Sequence, residues 1–291
     1  MRHAAHFDII GDIHGHHDKL LAMLDRLGYR QDGGAWQHPE RTAVFVGDLI
    51  DKGPAPAEVL KTIRRMVDAG AAWMVVGNHE LNWIRDAYRH LDRPYAFLRA
   101  TTAHHDRVSL VEGFLDDPEA LRDHFAWLRR QPLFIDEPGL RVVHACWNDN
   151  AIAFLKTQNL HCLDDRLLAH YEDTYSEGYL AIDLLVAGCE HEFLETPSPQ
   201  GFPTRRRRVR WWQNTAARIH PCELQPSPAR EIGYPKDAPP VFFGHYALDG
   251  APTVLDEKVV GLDYAAAYGG DLVAYRHTIG QPLGDGSFVA V

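Results

Sequence analysis

The stretch Thr42-Ala43-Val44-Phe45-Val46-Gly47-Asp48-Leu49-Ile50-Asp51-Lys52-Gly53-Pro54 decides how this chain is read. A short apolar run rich in β-formers ends at a glycine, and polar residues follow at once, the pattern of a buried strand feeding a functional turn. The same grammar recurs on both sides of it. Phe7 to Ile10 leads into Gly11-Asp12-Ile13-His14-Gly15, and Ala72 to Val76 leads into Gly77-Asn78-His79-Glu80. Later, Leu140-Arg141-Val142-Val143 runs into His144, and Val241-Phe242-Phe243-Gly244 runs into His245. Each strand-like segment thus delivers an oxygen or imidazole group just past its C-terminal end, where open α/β sheets bind ligands.

Helical patterns separate the first strands. Leu20, Met23, Leu24 and Leu27 repeat at helical spacing before Gly28, and Val59, Ile63, Met66 and Val67 do so before Gly70. The βαβαβ rhythm implies a largely parallel sheet covered by helices. A helix is expected through Glu80 to Leu91, mixed helix and loop over 95–130, and helix over 150–195. A breaker follows at Thr196 to Pro203, then a Pro-studded run from Pro221 to Pro240. Thr253 to Leu255, Val259 to Asp263 and Leu272 to Tyr275 read as short strands. His144 and His245 lie 101 residues apart, long for a connection between neighbouring strands. The expectation is one domain over 1–291 with an inserted cap at approximately 150–238.

The chain has 291 residues and a formal net charge of -10. That length can bury a substantial core. No apolar run approaches the roughly 18 residues of a membrane span, so no membrane partner is expected. Met1 to His6 runs straight into the first strand without a signal-peptide pattern. Cys146, Cys162, Cys189 and Cys222 form no CxxC pair and are expected to be free thiols in a reducing cytoplasm. The acidic balance opposes broad nucleic-acid binding, which rests on Lys and Arg neutralising phosphates. Part of it also fits a site that takes up cations.

Carboxylate oxygen suits hard divalent ions, and imidazole shifts preference toward Mn, Fe or Zn. Two such ions about 3.5–4 Å apart can clamp a phosphoryl group. Five strand ends presenting Asp, His, Asn and His on one edge therefore describe a two-metal hydrolytic centre. The order and wording of the motifs resemble the phosphoprotein phosphatase branch of the calcineurin-like metallophosphoesterases, which includes bacterial serine/threonine phosphatases and diadenosine tetraphosphatases. Its motifs read GDxHG, GDxxDRG, GNHE, a strand-end His and GH. Val260 to Leu272 also resembles the family's closing segment, with Tyr264 and Ala265 where Thr and Gly are usual. The resemblance covers roughly residues 6–145 and 240–276.

The resemblance implies an α/β (α+β) fold, a four-layer α/β/β/α sandwich. It assigns Asp12 and His14 to a first metal, Asp48 to a bridging position, and Asn78, His144 and His245 to a second metal. It makes His79 the general acid, with Asp51 pairing with its imidazole, and gives Lys52 and Asn78 to the substrate phosphate. The implied cofactors are two divalent or trivalent ions, Mn favoured, with Fe or Zn as alternatives. The implied reaction is hydrolysis of a phosphate monoester, on a phosphoprotein or small molecule, by a metal-bridging hydroxide. The alternatives are a nucleotide polyphosphate hydrolase of the diadenosine tetraphosphatase type, an RNA-end phosphatase and a non-catalytic metal-binding regulatory module. The acidic balance disfavours the RNA-end enzyme; Asp51, Lys52 and His79, which simple metal retention does not need, disfavour the module.

Lys52 departs from the family's Arg, exchanging a planar fork for a flexible point charge. Within the cap, Arg205-Arg206-Arg207-Arg208-Val209-Arg210-Trp211-Trp212 is the dense basic cluster of an acidic chain. It reads either as a solvated turn or as a polyanion grip, and Arg210 is the arginine expected to reach phosphate.

Overall fold

Alternation along two strands explains why two sheets form. In a computed structural model of the protein, Phe7 and Ile9 of β1 (His6–Ile10) and Val44 of β4 (Thr42–Phe45) turn to one side, with Val46 just beyond β4. They pack there against Val142, Phe242, Val260 and Tyr275 in a core that lies between two sheets. Ile10, Ala43 and Phe45 belong to a second core that the helices cover. This period-two division buries both strand faces at once. The structure describes residues 5–89, 108–171, 173–197, 203–213 and 233–291.

The first sheet has the order β12 (Asp263–Tyr264), β13 (Asp271–Thr278), β1, β4, β5 (Ala72–Met74), and β14 (Phe288–Ala290) pairs with β13. β1, β4 and β5 run parallel, while β13 is antiparallel to β1. The second sheet has the order β11 (Val259–Gly261), β10 (Val241–Phe243), β7 (Leu140–Val143), β6 (Phe134–Glu137). β10 lies parallel to both its neighbours. A small hairpin, β2 (Arg30–Asp32) with β3 (Ala35–Gln37), follows the first helix.

Helix α1 (His17–Leu27) buries Leu20, Met23, Leu24 and Leu27, as its periodicity predicts. Gly28 ends it at φ 93°, a left-handed C-cap that suits glycine. α2 (Pro56–Asp68) begins on Pro56 and buries Val59, Leu60, Ile63 and Met66. α3 (Asn78–Arg89) opens on the third motif, and α4 (Val108–Glu112) and α5 (Pro118–Leu128) follow. Beyond β7, helices α6 (Asp149–Thr157), α7 (Asp165–Tyr171) and α8 (Glu177–Val186) bury Ile152, Leu155, Leu167, Leu168 and Leu185 in the core that also takes Val143, Val241 and Phe243. Helices therefore cover both outer sheet faces, which gives the expected four-layer α/β sandwich.

Two expected elements differ. Helix does not persist to 195: it stops at Val186, Gly188 sits at φ 76°, and β8 (Glu190–Pro197) pairs antiparallel with β9 (Pro203–Arg208). The arginine run itself is thus a strand, because pairing with β8 satisfies its backbone. Thr253 to Leu255 forms no strand, its backbone being held instead by bonds from Thr253 to Tyr264 Oη and from Val254 to the Asp285 carboxylate. Residues 90–91 of the expected helix, 95–107 of the expected mixed region, 198–202 of the breaker, Pro221 to residue 232 and Cys222 lie outside the described residues. No helix among the described residues is long and apolar enough to cross a membrane.

Candidate metal centre

The turns beyond β1, β4, β5, β7 and β10 carry the quoted motifs, and their backbone is unusual. His14 (φ 44°), Asp48 (φ 50°), Asp51 (φ 67°), Lys52 (φ 64°) and His245 (φ 62°) all occupy the left-handed region. Such conformations cost non-glycine residues on the order of 1–3 kcal/mol each and persist where the surroundings enforce them. All five are residues that the sequence marks as functional.

Asp48 sits at the middle. Its Oδ1 accepts from the His79 backbone N–H at 3.0 Å and lies 3.3 Å from His144 Nε2. Its Oδ2 is 3.5 Å from His14 Nε2 and 3.9 Å from His79 Nε2. Asn78 Oδ1 is 3.1 Å from His144 Nε2 and 2.9 Å from His245 Nδ1. Ligand atoms of His14, Asp48 and His79 lie within 4.8 Å of one another, as do those of Asp48, His144 and His245. Asp48 is common to both groups.

Backbone carbonyls choose the histidine tautomers. His144 Nδ1 meets the Val46 carbonyl at 2.7 Å, and His14 Nδ1 meets that of Ile50 at 3.2 Å. A carbonyl accepts only, so each Nδ1 carries the proton and each neutral ring turns a bare Nε2 lone pair inward. With the His144 ring neutral, its Nε2, Asn78 Oδ1 and Asp48 Oδ1 converge without a proton to share. Such a set suits a cation.

The electrostatics divide the two rings. Burial opposes ionisation of Asp48, but His144, His79 and His14 hold its carboxyl well below the usual range. Burial likewise disfavours charge on His144, yet Asp48 beside it pushes it up to about 9, a proton answering the local negative charge. His14 goes the other way: burial, helped by Lys52 and His79, outweighs Asp48 and lowers it to about 3, its neutral ligand form. Burial, then Asp263 and Asp48, drive Asp12 well above the carboxylate range, with His144 opposing. Its Oδ2 accepts from the His245 N–H at 3.0 Å, but its buried Oδ1 has no hydrogen-bond partner. A Cβ at Gly244 would stand 1.9 Å from that bare oxygen, so only glycine leaves it room. Three buried acidic side chains (Asp12, Asp48 and Asp263) and an orphaned oxygen, beside the His14 and His245 imidazoles that burial keeps neutral, fit a multi-cation site.

His79 lies at the mouth. Its Nδ1 is 2.7 Å from Asp51 Oδ2, and the Trp83 indole donates to Asp51 Oδ1 at 2.6 Å. Burial disfavours its charge, but Asp48 and Asp51 together raise it above the ordinary histidine range. Lys52 Nζ stands 3.0 Å from His14 Nε2 and 5.1 Å from the Tyr268 ring centre. Arg208 donates to the His245 carbonyl, and Arg210 is exposed. Trp211 Nε1 donates to the Ala145 carbonyl at 3.0 Å, and Trp212 packs on Phe243, tying the segment to the ends of β7 and β10.

Sequence reasoning gave no role to Glu80, Trp83 or Asp263, and favoured Arg210 over Arg208. Glu80, fully buried, accepts from the backbone N–H of Asp48 (2.9 Å), Leu49 (2.9 Å), Ile50 (3.3 Å) and Gly77 (3.0 Å). It fixes the second motif's turn against the start of α3. The signal was present: a Glu three residues past Gly77 at a helix start has the spacing of a capping box.

A family model, the calcineurin-like phosphoesterases, matches residues 5–279. The chain belongs to that family. It is a family of metal-dependent hydrolases of phosphate esters, and the fold and the cation-suited cluster accord with it. Among curated relatives, the symmetrical bis(5′-nucleosyl)-tetraphosphatase of Yersinia pestis (strain Pestoides F) is 28% identical over 288 residues, covering 92% of this chain and 88% of that protein. The asymmetrical bis(5′-nucleosyl)-tetraphosphatase PrpE of Halalkalibacterium halodurans is 47% identical over 74 residues, but the match spans only 25% of this chain and 30% of that protein. Among solved structures, a cold-active protein-tyrosine phosphatase of a psychrophilic Shewanella has a TM-score of 0.52 at 19% identity, over 98% of this chain and 80% of its own. A protein serine/threonine phosphatase of Saccharomyces cerevisiae has a TM-score of 0.52 at 13% identity, over 99% and 79%. At those identities the likeness is one of fold.

Proposed function

We propose that this chain hydrolyses phosphate monoesters with two metal ions held on Asp48. Asp12, His14 and Asp48 would hold one ion, and Asp48, Asn78, His144 and His245 the other. Mn is the favoured metal, because the donor set mixes hard oxygen with imidazole. Bound, the ions neutralise phosphoryl oxygens and activate the attacking water. The observation that carries this reading is the convergence of His144 Nε2, Asn78 Oδ1 and Asp48 Oδ1, with Val46 holding the histidine proton on the far side.

The remaining roles fall to protein groups. Lys52 and the Asn78 amide bind the phosphate, joined by an arginine of the 205–210 run; Arg208, bonded to the His245 carbonyl, is better anchored there than Arg210. His79 holds a proton at Nε2 for the departing oxygen while Asp51 fixes its other nitrogen. Of the expected cap at approximately 150–238, helices α6–α8 serve as an outer layer of the sandwich, and the part around the 205–210 run, held at the ends of β7 and β10, is the part that bears on what lies beyond the phosphate. The free thiols of Cys146 and Cys162 accord with a cytoplasmic setting.

A second reading, hydrolysis of nucleoside polyphosphates, draws support from the Yersinia tetraphosphatase, which resembles this chain over 92% of its length. A hydrolysis screen with Mn, comparing an aryl phosphate, phosphopeptides and diadenosine polyphosphates, separates the two. Turnover of at least one class, abolished by a chelator and restored by Mn, is expected. Chelator-resistant turnover, or none on any class with two Mn ions bound, would overturn the proposal.

A further inference from the structure

Leu115, Tyr175, Leu180, Tyr268 and Ile279 are the exposed large apolar side chains among the described residues. Scattered exposed apolar residues are ordinary and need no explanation. Tyr268 differs in its position. It is 75% exposed, yet Lys52 Nζ lies 5.1 Å from its ring centre and 3.0 Å from His14 Nε2. One ammonium group thus separates an exposed aromatic ring from the metal-binding cluster.

The ring is held on a rigid loop. Tyr268 closes a 3₁₀ turn, Ala266–Tyr268, between Ala265 at φ 59° and Gly269 at φ 87°. Its N–H and that of Gly270 donate to the Ala265 carbonyl at 2.8 and 3.0 Å, and Ala265 N–H donates to Asp263 Oδ1 at 2.9 Å. Lys19 from α1 clamps the far side through the Gly270 carbonyl. Little of the loop's freedom is left for a ligand to remove, which favours a preformed contact surface.

We propose that Tyr268 is a stacking platform for an aromatic ring on the alcohol side of the phosphate ester, so that the site prefers nucleoside phosphates to esters lacking a base. Lys52 meets the phosphate while the base lies on the ring next to it. The inference rests on the phosphoesterase reading of the same site. Stacking of a base on an aromatic side chain is worth roughly 5- to 150-fold in affinity.

The test compares adenosine 5′-monophosphate with ribose 5-phosphate, which share the leaving oxygen and differ in the base. In Tyr268→Ala the ratio of their kcat/KM values is expected to fall by roughly 5- to 150-fold, and Tyr268→Phe should keep it. An unchanged ratio in Tyr268→Ala, with both substrates slowed alike or not at all, would overturn the platform and leave Tyr268 as a support for Lys52. Equal loss in Tyr268→Phe would overturn it too. If the wild-type protein hydrolyses neither compound, the hydrolase reading fails for these esters, and calorimetric binding of the same two compounds decides the inference. Loss of the adenosine 5′-monophosphate preference in Tyr268→Ala supports it, and retention overturns it.

Discussion

His79 and Asp51 form the pair whose chemistry is most exposed to test. Asp51 accepts a hydrogen bond from Nδ1–H at 2.7 Å and is itself fixed by Trp83, so the imidazole has one free direction for proton delivery. The raised pKa sets the sign of the pH dependence. Below it the ring is charged and can donate; as pH rises through it the donor is lost, so turnover of poor leaving groups should fall on the alkaline side. His79→Asn should slow alkyl phosphates by about 10²–10⁴-fold and activated aryl phosphates far less, and should abolish that alkaline limb. Equal losses on both substrate types, with the limb intact, would leave His79 only a structural role. The pairing could be anticipated from the resemblance, since Asp51 and His79 stand in separate motifs. Trp83 could not, because an indole in a helix reads as core until its partner is known.

At the scale of elements, the site is made by turns that leave no slack. Glu80 accepts four N–H groups and so welds the turn after β4 to the start of α3, while Gly244 after β10 lets the Asp12 carboxylate pass. Gly244→Ala places a Cβ where Asp12 Oδ1 now lies, 1.9 Å away, and 2.8 Å from the Val46 side chain. Overpacking of this kind costs roughly 1–3 kcal/mol. The variant is therefore expected to stay folded with a lowered Tm and to bind Mn at least tenfold more weakly by titration calorimetry. Wild-type affinity in Gly244→Ala would show that Asp12 is not a ligand. Strand ends and helix faces were legible because periodicity encodes burial: Leu20, Met23, Leu24 and Leu27 read as one face and are one face. The β8–β9 hairpin was not, since a run of arginines carries no apolar alternation and its strand depends on pairing with the segment just before it.

For the whole molecule, two sheets packed face to face bring five strand ends from distant stretches to one place. That juxtaposition is why His144 and His245, ordinary histidines in the sequence, come to share Asn78. Their tautomers, the bare oxygen of Asp12 and the carboxylates behind it depend on three-dimensional neighbours, so the motif order pointed to the cluster but could not show its charge balance. Within that balance Asp48 is common to both groups of candidate ligands, so on the proposed reading neither half of the site can spare it. The most direct measurement is the metal content and turnover of Asp48→Asn after loading with Mn, with circular dichroism to confirm folding. Two Mn ions per wild-type chain are expected, with most of the metal and nearly all turnover lost in a folded Asp48→Asn. A folded variant that keeps two metals per chain and its turnover would contradict the bridging role of Asp48.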